Sequence, residues 1–149
     1  MTMRSARSTR LARTPKNAVA DDHAVIDASA MVDLLLGATI GAAVAERIDG
    51  AVLHAPAHLD SEVLSGLGRL HRDGRLPAVT VGRQLDVLVS APVQRHPLTG
   101  LVVGAWRRRD RLRLVDALYV ELAVALDVRL ITTDVRLGRA SRVADVVEA

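Results

Sequence analysis

Ala24-Val25-Ile26-Asp27-Ala28-Ser29-Ala30-Met31-Val32-Asp33-Leu34 decides how this chain is read. A short apolar, β-branched run stops at Asp27, and helical spacing begins at once. Such a run is a strand buried on both faces, as in parallel sheets, and Ser29 is a suitable N-cap for the helix that follows. Asp27 therefore stands at the carboxyl end of an inner strand, the edge at which open α/β sheets bind ligands. On its own it could merely end the strand or cap the helix. It gains weight from what lies on either side.

Working outward, residues 30–36 and 39–48 carry helical spacing interrupted at Gly37, and Ala51-Val52-Leu53-His54-Ala55 is a second short strand stopped by Pro56. Leu59, Val63, Leu67 and Leu70 form one stripe of an amphipathic helix over 58–72, closed near Gly74. Pro77 opens another helix to about residue 90, and Pro92 to Pro97 is a short extended segment fenced by prolines. Residues 98–106 have a helical pattern and run into five arginines, Arg107, Arg108, Arg109, Arg111 and Arg113. Leu114–Leu126 is apolar nearly all round, the pattern of a buried helix. Val128 to Asp134 is a strand ending in a carboxylate, followed by a short helix and a last strand at Val143–Val147. This alternation predicts an α/β fold with a mostly parallel central sheet and helices on both faces.

Composition narrows the function. A chain of 149 residues is one domain of ordinary size. Its apolar residues are nearly all Ala, Val and Leu; Phe is absent and the large aromatics are Trp106 and Tyr119, so no platform for stacking bases exists. Contact with nucleic acid would run through arginine. Cysteine is absent, which excludes disulfides and thiolate metal sites and fits a reducing cytoplasm. No apolar run approaches the ~20 residues of a membrane span. Residues 1–20 hold Arg4, Arg7, Arg10, Arg13 and Lys16 and no acid, leaving 15 basic against 17 acidic residues, a net −2, in the remainder. Residues 1–22 are therefore expected to be a basic, disordered extension to a domain over 23–149.

Four acids share one topological address. Asp27 and Asp134 end strands, Glu62 and Asp116 lie in the first turns of helices, and in a parallel sheet all four point toward the carboxyl edge. An ionised carboxylate in a helix as apolar as that around Asp116 costs several kcal/mol unless it is paired or holds a cation. The chain's single lysine is Lys16. Helix dipoles stabilise such acids by only about 0.3–1 kcal/mol each, too little to offset mutual repulsion. A divalent cation is the usual relief, and oxygen ligands without Cys or a His pair favour Mg²⁺ or Mn²⁺ over Zn²⁺. The chemistry that follows is phosphodiester hydrolysis. Asp60 and Glu62 point about 200° apart on their helix, so one of the two faces the site, and spacing does not choose. His23, His54, His58, His71 and His96 show no metal pattern and read as surface or loop residues.

Val25-Ile26-Asp27-Ala28-Ser29-Ala30, then Pro56-Ala57-His58-Leu59-Asp60-Ser61-Glu62-Val63, then Asp116-Ala117-Leu118-Tyr119-Val120-Glu121-Leu122-Ala123, then Leu130-Ile131-Thr132-Thr133-Asp134, resemble in order and spacing the PIN-domain ribonucleases, and most closely the VapC toxins of bacterial toxin–antitoxin pairs. The resemblance implies a PIN-like three-layer fold and chooses Glu62 over Asp60. It also implies Asp27 and Asp116 as principal Mg²⁺ ligands, Glu62 and Asp134 completing the acidic pocket, and Ser29 and Thr132 as polar support. It further implies a homodimer, metal-dependent endonuclease activity on RNA, and inhibition by a cognate VapB-type antitoxin. The basic extension and the arginine cluster at 107–113, which could grip phosphates, lie outside the family pattern. A haloacid dehalogenase-type phosphatase would need a second Asp at position 29, a receiver domain a late lysine, and a dinucleotide-binding domain a Gly-rich turn after the first strand. A non-catalytic PIN-like module binding RNA or protein is the competing possibility, and the presence of all four acids argues against it.

Overall fold

The computed structural model describes residues 22–149. Five strands, all parallel, form one sheet in the order β3-β2-β1-β4-β5. They are β1 (His23–Ile26), β2 (Val52–Pro56), β3 (Val93–His96), β4 (Arg129–Thr132) and β5 (Ala144–Val146). The chain starts at the centre, winds outward through β2 and β3, and returns to the other side of β1 with β4 and β5. The order therefore reverses between β1 and β4, and beyond the carboxyl ends of two such strands lies the crevice where open α/β folds bind ligands.

Among the described residues seven α-helices cover the sheet: α1 (Ala28–Leu36), α2 (Thr39–Arg47), α3 (Leu59–Arg72), α4 (Ala78–Ser90), α5 (Val102–Arg107), α6 (Leu114–Leu126) and α7 (Val135–Ala140). α6 packs on β1, β2 and β4, while α1 packs on β4 and against α2, α3 and α4. The core between them is aliphatic, with Ile26, Met31, Leu59, Leu67, Leu130 and Ile131 fully buried, and Tyr119 is its one large aromatic. Gly37 adopts φ 69°, which glycine tolerates without strain, and its N–H donates to the Asp33 carbonyl to close α1 before α2 begins.

Several expectations change. The cap of α1 is Asp27, whose side chain accepts from the Ala30 N–H; Ser29 sits inside the helix. The carboxylate thus ends the strand and caps the helix at once. The proline-fenced segment is a paired strand, β3, whose register with β2 places His96 opposite Pro56. β4 ends at Thr132, and Asp134 caps α7. α6 is not buried all round: Leu114, Val115 and Val124 are exposed, so its apolar surface exceeds what the sheet covers. The histidines are not uniformly peripheral. His54 is buried in β2, with its Nε2 2.8 Å from His23 Nδ1 and its Nδ1 2.9 Å from His96 Nε2, a ladder of imidazoles across three strands. Among the described residues no single helix is long and apolar enough to cross a membrane. The expected disordered extension over 1–22 lies outside the described residues except for Asp22, which accepts from Arg129 Nη2 at 2.6 Å.

Candidate active site at the carboxyl edge of the sheet

Asp27 follows directly from the last residue of β1, and its backbone N–H donates to the Ile131 carbonyl of β4. It is 5% exposed. Oδ1 accepts from Ser29 Oγ at 2.7 Å and from the Ala30 N–H at 2.9 Å, while Oδ2 accepts from the Thr132 hydroxyl. A carboxylate has about four lone-pair positions. Three are used, and the remaining one belongs to Oδ2. Burial pushes the Asp27 carboxyl up to about 6; the three hydrogen bonds oppose that rise and the Asp116 charge adds to it.

Thr132 and Ser29 tie the β1 and β4 ends together. Their hydroxyls are 3.2 Å apart, Ser29 Oγ accepts from the Thr133 N–H, and Thr132 Oγ1 accepts from the Asp134 N–H at 3.0 Å. Thr133 in turn donates to Asp33 Oδ2 at 2.6 Å, which holds α1 against this turn. Asp134 uses Oδ1 to cap α7, accepting from the Arg136 N–H at 2.9 Å. Each buried polar atom of the junction has a partner, as a fixed site in a low-dielectric setting requires.

Glu62 and Asp60 divide as their angular separation demands. Asp60 takes a two-point hydrogen bond from Arg95 of β3, whose guanidinium also donates to the carbonyls of Leu88, Ala91 and Val93. Glu62 points the other way and accepts from the Tyr119 hydroxyl at 2.7 Å. His58 Nε2 lies 3.0 Å from the Val115 carbonyl and 3.1 Å from Glu62 Oε1; both are acceptors, so this nitrogen carries the proton. Burial alone would raise Glu62, but the bonds from His58 and Tyr119 and the charges of His58 and Arg113 hold it below the ordinary carboxylate range. Burial and the neighbouring Glu62 push Tyr119 upward, so it stays a donor. Neither His58 nor Tyr119 stands out in the sequence as a polar member of this site. The available signals are the i, i+4 spacing of His58 to Glu62 and the i, i+3 spacing of Tyr119 to Asp116, which put each pair on one helix face.

Asp116 is neutralised by an arginine. Arg113, the N-cap residue of α6, donates from Nε to Oδ2 at 2.9 Å and from Nη2 to Oδ1 at 3.3 Å. The same guanidinium feels the charges of Asp134 and Glu62. The other arginines disperse. Arg108 pairs with Glu121 at 2.7 Å, Arg109 stacks over Trp106 and bonds its carbonyl, and Arg107 lines a separate hollow with Arg108 and Arg142. Of the five, Arg111 joins Arg113 beside Asp116 and Asp134, where Arg136 also lies, and it borders the hollow of Arg107 and Arg108 as well.

Asp27, Glu62, Asp116 and Asp134 thus come from four elements to one edge and act on one another or on one guanidinium. As placed, no three of the chain's His, Asp and Glu side chains among the described residues converge closely enough to enclose a metal ion. The donor chemistry fits a hard divalent cation nonetheless: all four side chains offer oxygen, Asp27 keeps a free lone pair, and the charges of Glu62, Asp116 and Asp134 all act on one arginine.

A strand-order reversal with one buried and three half-buried carboxylates at its carboxyl edge marks the crevice where an α/β fold of this class takes its ligand. The PIN domain family model matches residues 24–143. Ribonuclease VapC3 of Mycobacterium tuberculosis is 52% identical over 120 residues, covering 80% of this chain and 88% of that protein. Ribonuclease VapC12 of the same organism is 41% identical over 118 residues, 77% of this chain and 89% of that one. Among solved structures, PAE2754 from Pyrobaculum aerophilum superposes with a TM-score of 0.62 at 25% identity over 83% of each chain. A toxin–antitoxin complex from Klebsiella pneumoniae gives 0.60 at 15% identity, over 82% of this chain and 95% of that one, a likeness of fold. The chain belongs to the PIN-domain family and, within it, to the VapC ribonucleases.

Proposed function

We propose that this ribonuclease hydrolyses RNA internally with Mg²⁺ or Mn²⁺ held chiefly by Asp27 and Asp116, Glu62 and Asp134 completing the pocket. The observation that carries it is the Asp27 carboxylate: buried, held by three hydrogen bonds, coupled to Asp116, and left with one lone pair. Ser29 and Thr132 fix its orientation, and the hydrogen bonds of His58 and Tyr119 keep Glu62 ionised. A bound divalent ion supplies an activated water and positive charge beside the attacked phosphate. Arg111 and Arg113 are placed to hold RNA phosphates, with Arg107, Arg108 and Arg109 farther along that surface. The working unit is the domain over 23–149, with residues 1–22 as a basic extension to it.

The partners follow from the same charge. Surplus carboxylate that calls for a cation also suits a basic side chain from an inhibitor, and a fold neighbour is a toxin–antitoxin complex. A VapB-type antitoxin encoded beside this chain is therefore the expected partner. It would present such a side chain to the acids. A homodimer in the cytoplasm is the expected form, with exposed apolar residues such as Val103 and Trp106 available for it to bury. Mapping cleaved 5′ ends across total RNA after brief induction tests the whole reading. New discrete ends that vanish when the neighbouring partner is co-expressed support it. Harmless expression without the partner, and no new ends, would defeat it.

A further inference from the structure

Arg113 lines two hollows at the carboxyl edge and is common to both. One, of about 130 Å³, is shared with Arg111, Asp116, Asp134 and Arg136. The other, of about 470 Å³, is shared with Ser29, Glu62, Arg69 and Arg75. The guanidinium, forked onto Asp116, is the one side chain that the two hollows share. Each hollow also holds carboxylates and further arginines.

We propose that Arg113 is an internal counter-ion of the acidic pocket: it occupies Asp116 until a divalent cation takes that carboxylate, and its release joins the two hollows into one groove in which it grips an RNA phosphate. This rests on Asp27 and Asp116 being the metal ligands. Three facts support it. Among the described residues Arg113 is the one cation paired with the pocket's Asp116, and the charges of Asp134 and Glu62 act on it too. Its side chain is 66% exposed against 18% for Asp116, so the arginine is free to swing while the carboxylate stays in place. An exposed arginine–carboxylate pair is weak, and a divalent ion meeting several carboxylates outcompetes it. The backbone at Arg113 is extended, with φ −61° and ψ 143°, and its position at the start of α6 lets the side chain turn without disturbing the helix. Arg69 and Arg75 in one hollow and Arg111 and Arg136 in the other would continue the phosphate track once Arg113 is released.

The opposing possibility is that Arg113 merely pairs with Asp116 to stabilise the first turn of α6. The full chain is titrated with Mn²⁺ alone, followed by electron paramagnetic resonance, as wild type, Arg113→Gln, Arg113→Lys and Asp27→Asn. Removing an internal competitor should tighten Mn²⁺ binding by about threefold to tenfold in Arg113→Gln, with Arg113→Lys between it and wild type. With Mn²⁺ saturating, a hydrolysis-resistant phosphorothioate RNA should bind Arg113→Gln more weakly, its log–log salt slope lowered by about 0.7, the loss of one phosphate contact on a single strand. Mn²⁺ affinity that is unchanged or weaker in Arg113→Gln, or an unaltered salt slope, overturns the proposal. If Asp27→Asn binds Mn²⁺ as wild type does, the metal assignment itself fails and this inference with it. If Asp27→Asn loses Mn²⁺ while Arg113→Gln matches wild type, the metal assignment stands and the counter-ion role alone falls.

Discussion

Two strand-to-helix junctions sit side by side in the centre of the sheet and use the same device. β1 ends and Asp27 caps α1; β4 ends and Asp134 caps α7. Yet Asp27 is 5% exposed and pushed up to about 6, whereas the Asp134 side chain is 22% exposed and pairs loosely with Arg136 at 3.5 Å. Capping is therefore not what separates the two. The difference is the neighbourhood: Asp27 is enclosed by Ser29 and Thr132, with Asp116 near enough to raise its proton affinity, while Asp134 opens toward the arginines. A helix cap and a metal ligand are compatible roles for one carboxylate, because Asp27 has a lone pair to spare after capping.

Neutralising each aspartate in turn should separate the two junctions most strongly. Asp27→Asn should lower RNA cleavage by about a thousandfold or more, the several kcal/mol that a metal-held charge supplies. Asp134→Asn should lower it by about tenfold to a hundredfold, the range for groups that assist a ligand. Single-turnover cleavage of one defined RNA measures both, and equal losses would erase the distinction between the junctions. Without added metal, Asp27→Asn should melt no lower than wild type, since burial already disfavours the charge it removes.

Next in size is the hydroxyl between the junctions. Thr132→Val removes the donor to Asp27 Oδ2 and strands the Asp134 N–H, which should cost about 1–3 kcal/mol of stability in urea titration. Cleavage should fall by about tenfold to a hundredfold, and Thr132→Ser should restore most of both.

These junctions also show where sequence was sufficient and where it was not. Asp27 was legible because a β-branched run breaking into helical spacing has few structural meanings, and the same alternation foretold the parallel sheet. The cap was misassigned to Ser29 because the chain position of a strand end is uncertain by a residue or two, and that shift is enough to turn Asp27 itself into the cap. Glu62 could not be separated from Asp60 by spacing; Arg95 decides it, and it lies 35 residues from Asp60, too distant for any local pattern. Asp116 was expected to need a metal for want of a lysine, whereas Arg113, three residues away, pairs with it. The arginine run hid this because a dense block of charge does not say which member turns inward.

A smaller effect should come from the helix cap. Asp134→Ala should cost about 1 kcal/mol through loss of the α7 cap, while Asp134→Asn, which can still accept from the Arg136 N–H, should cost less. Thermal melts of the two variants separate capping from charge at the exposed junction.

The smallest contrast is with His54, the buried polar residue of β2. Burial, and then the nearness of His96 and His23, hold its pKa below the usual histidine value of 6.5. A histidine lowered in the folded state favours folding fully above its unfolded pKa, and this contribution is lost as pH falls from 6.5 toward the lowered value. Asp22, Asp127 and Arg129 line the same hollow and are the charged groups that face the ladder there. Melting temperature should therefore decline below pH 6.5 more steeply in wild type than in His54→Gln; parallel curves would show that the imidazole ladder does not contribute.

In the proposed reaction, cleavage runs through a divalent ion held at the buried junction. The most direct test is to titrate Mg²⁺ and Mn²⁺ into chelator-stripped protein with one RNA, wild type beside Asp27→Asn. The stripped protein should not cleave, either ion should restore cleavage saturably, and Asp27→Asn should not recover at any metal concentration. Cleavage that survives the chelator, or undiminished cleavage by Asp27→Asn, would contradict it.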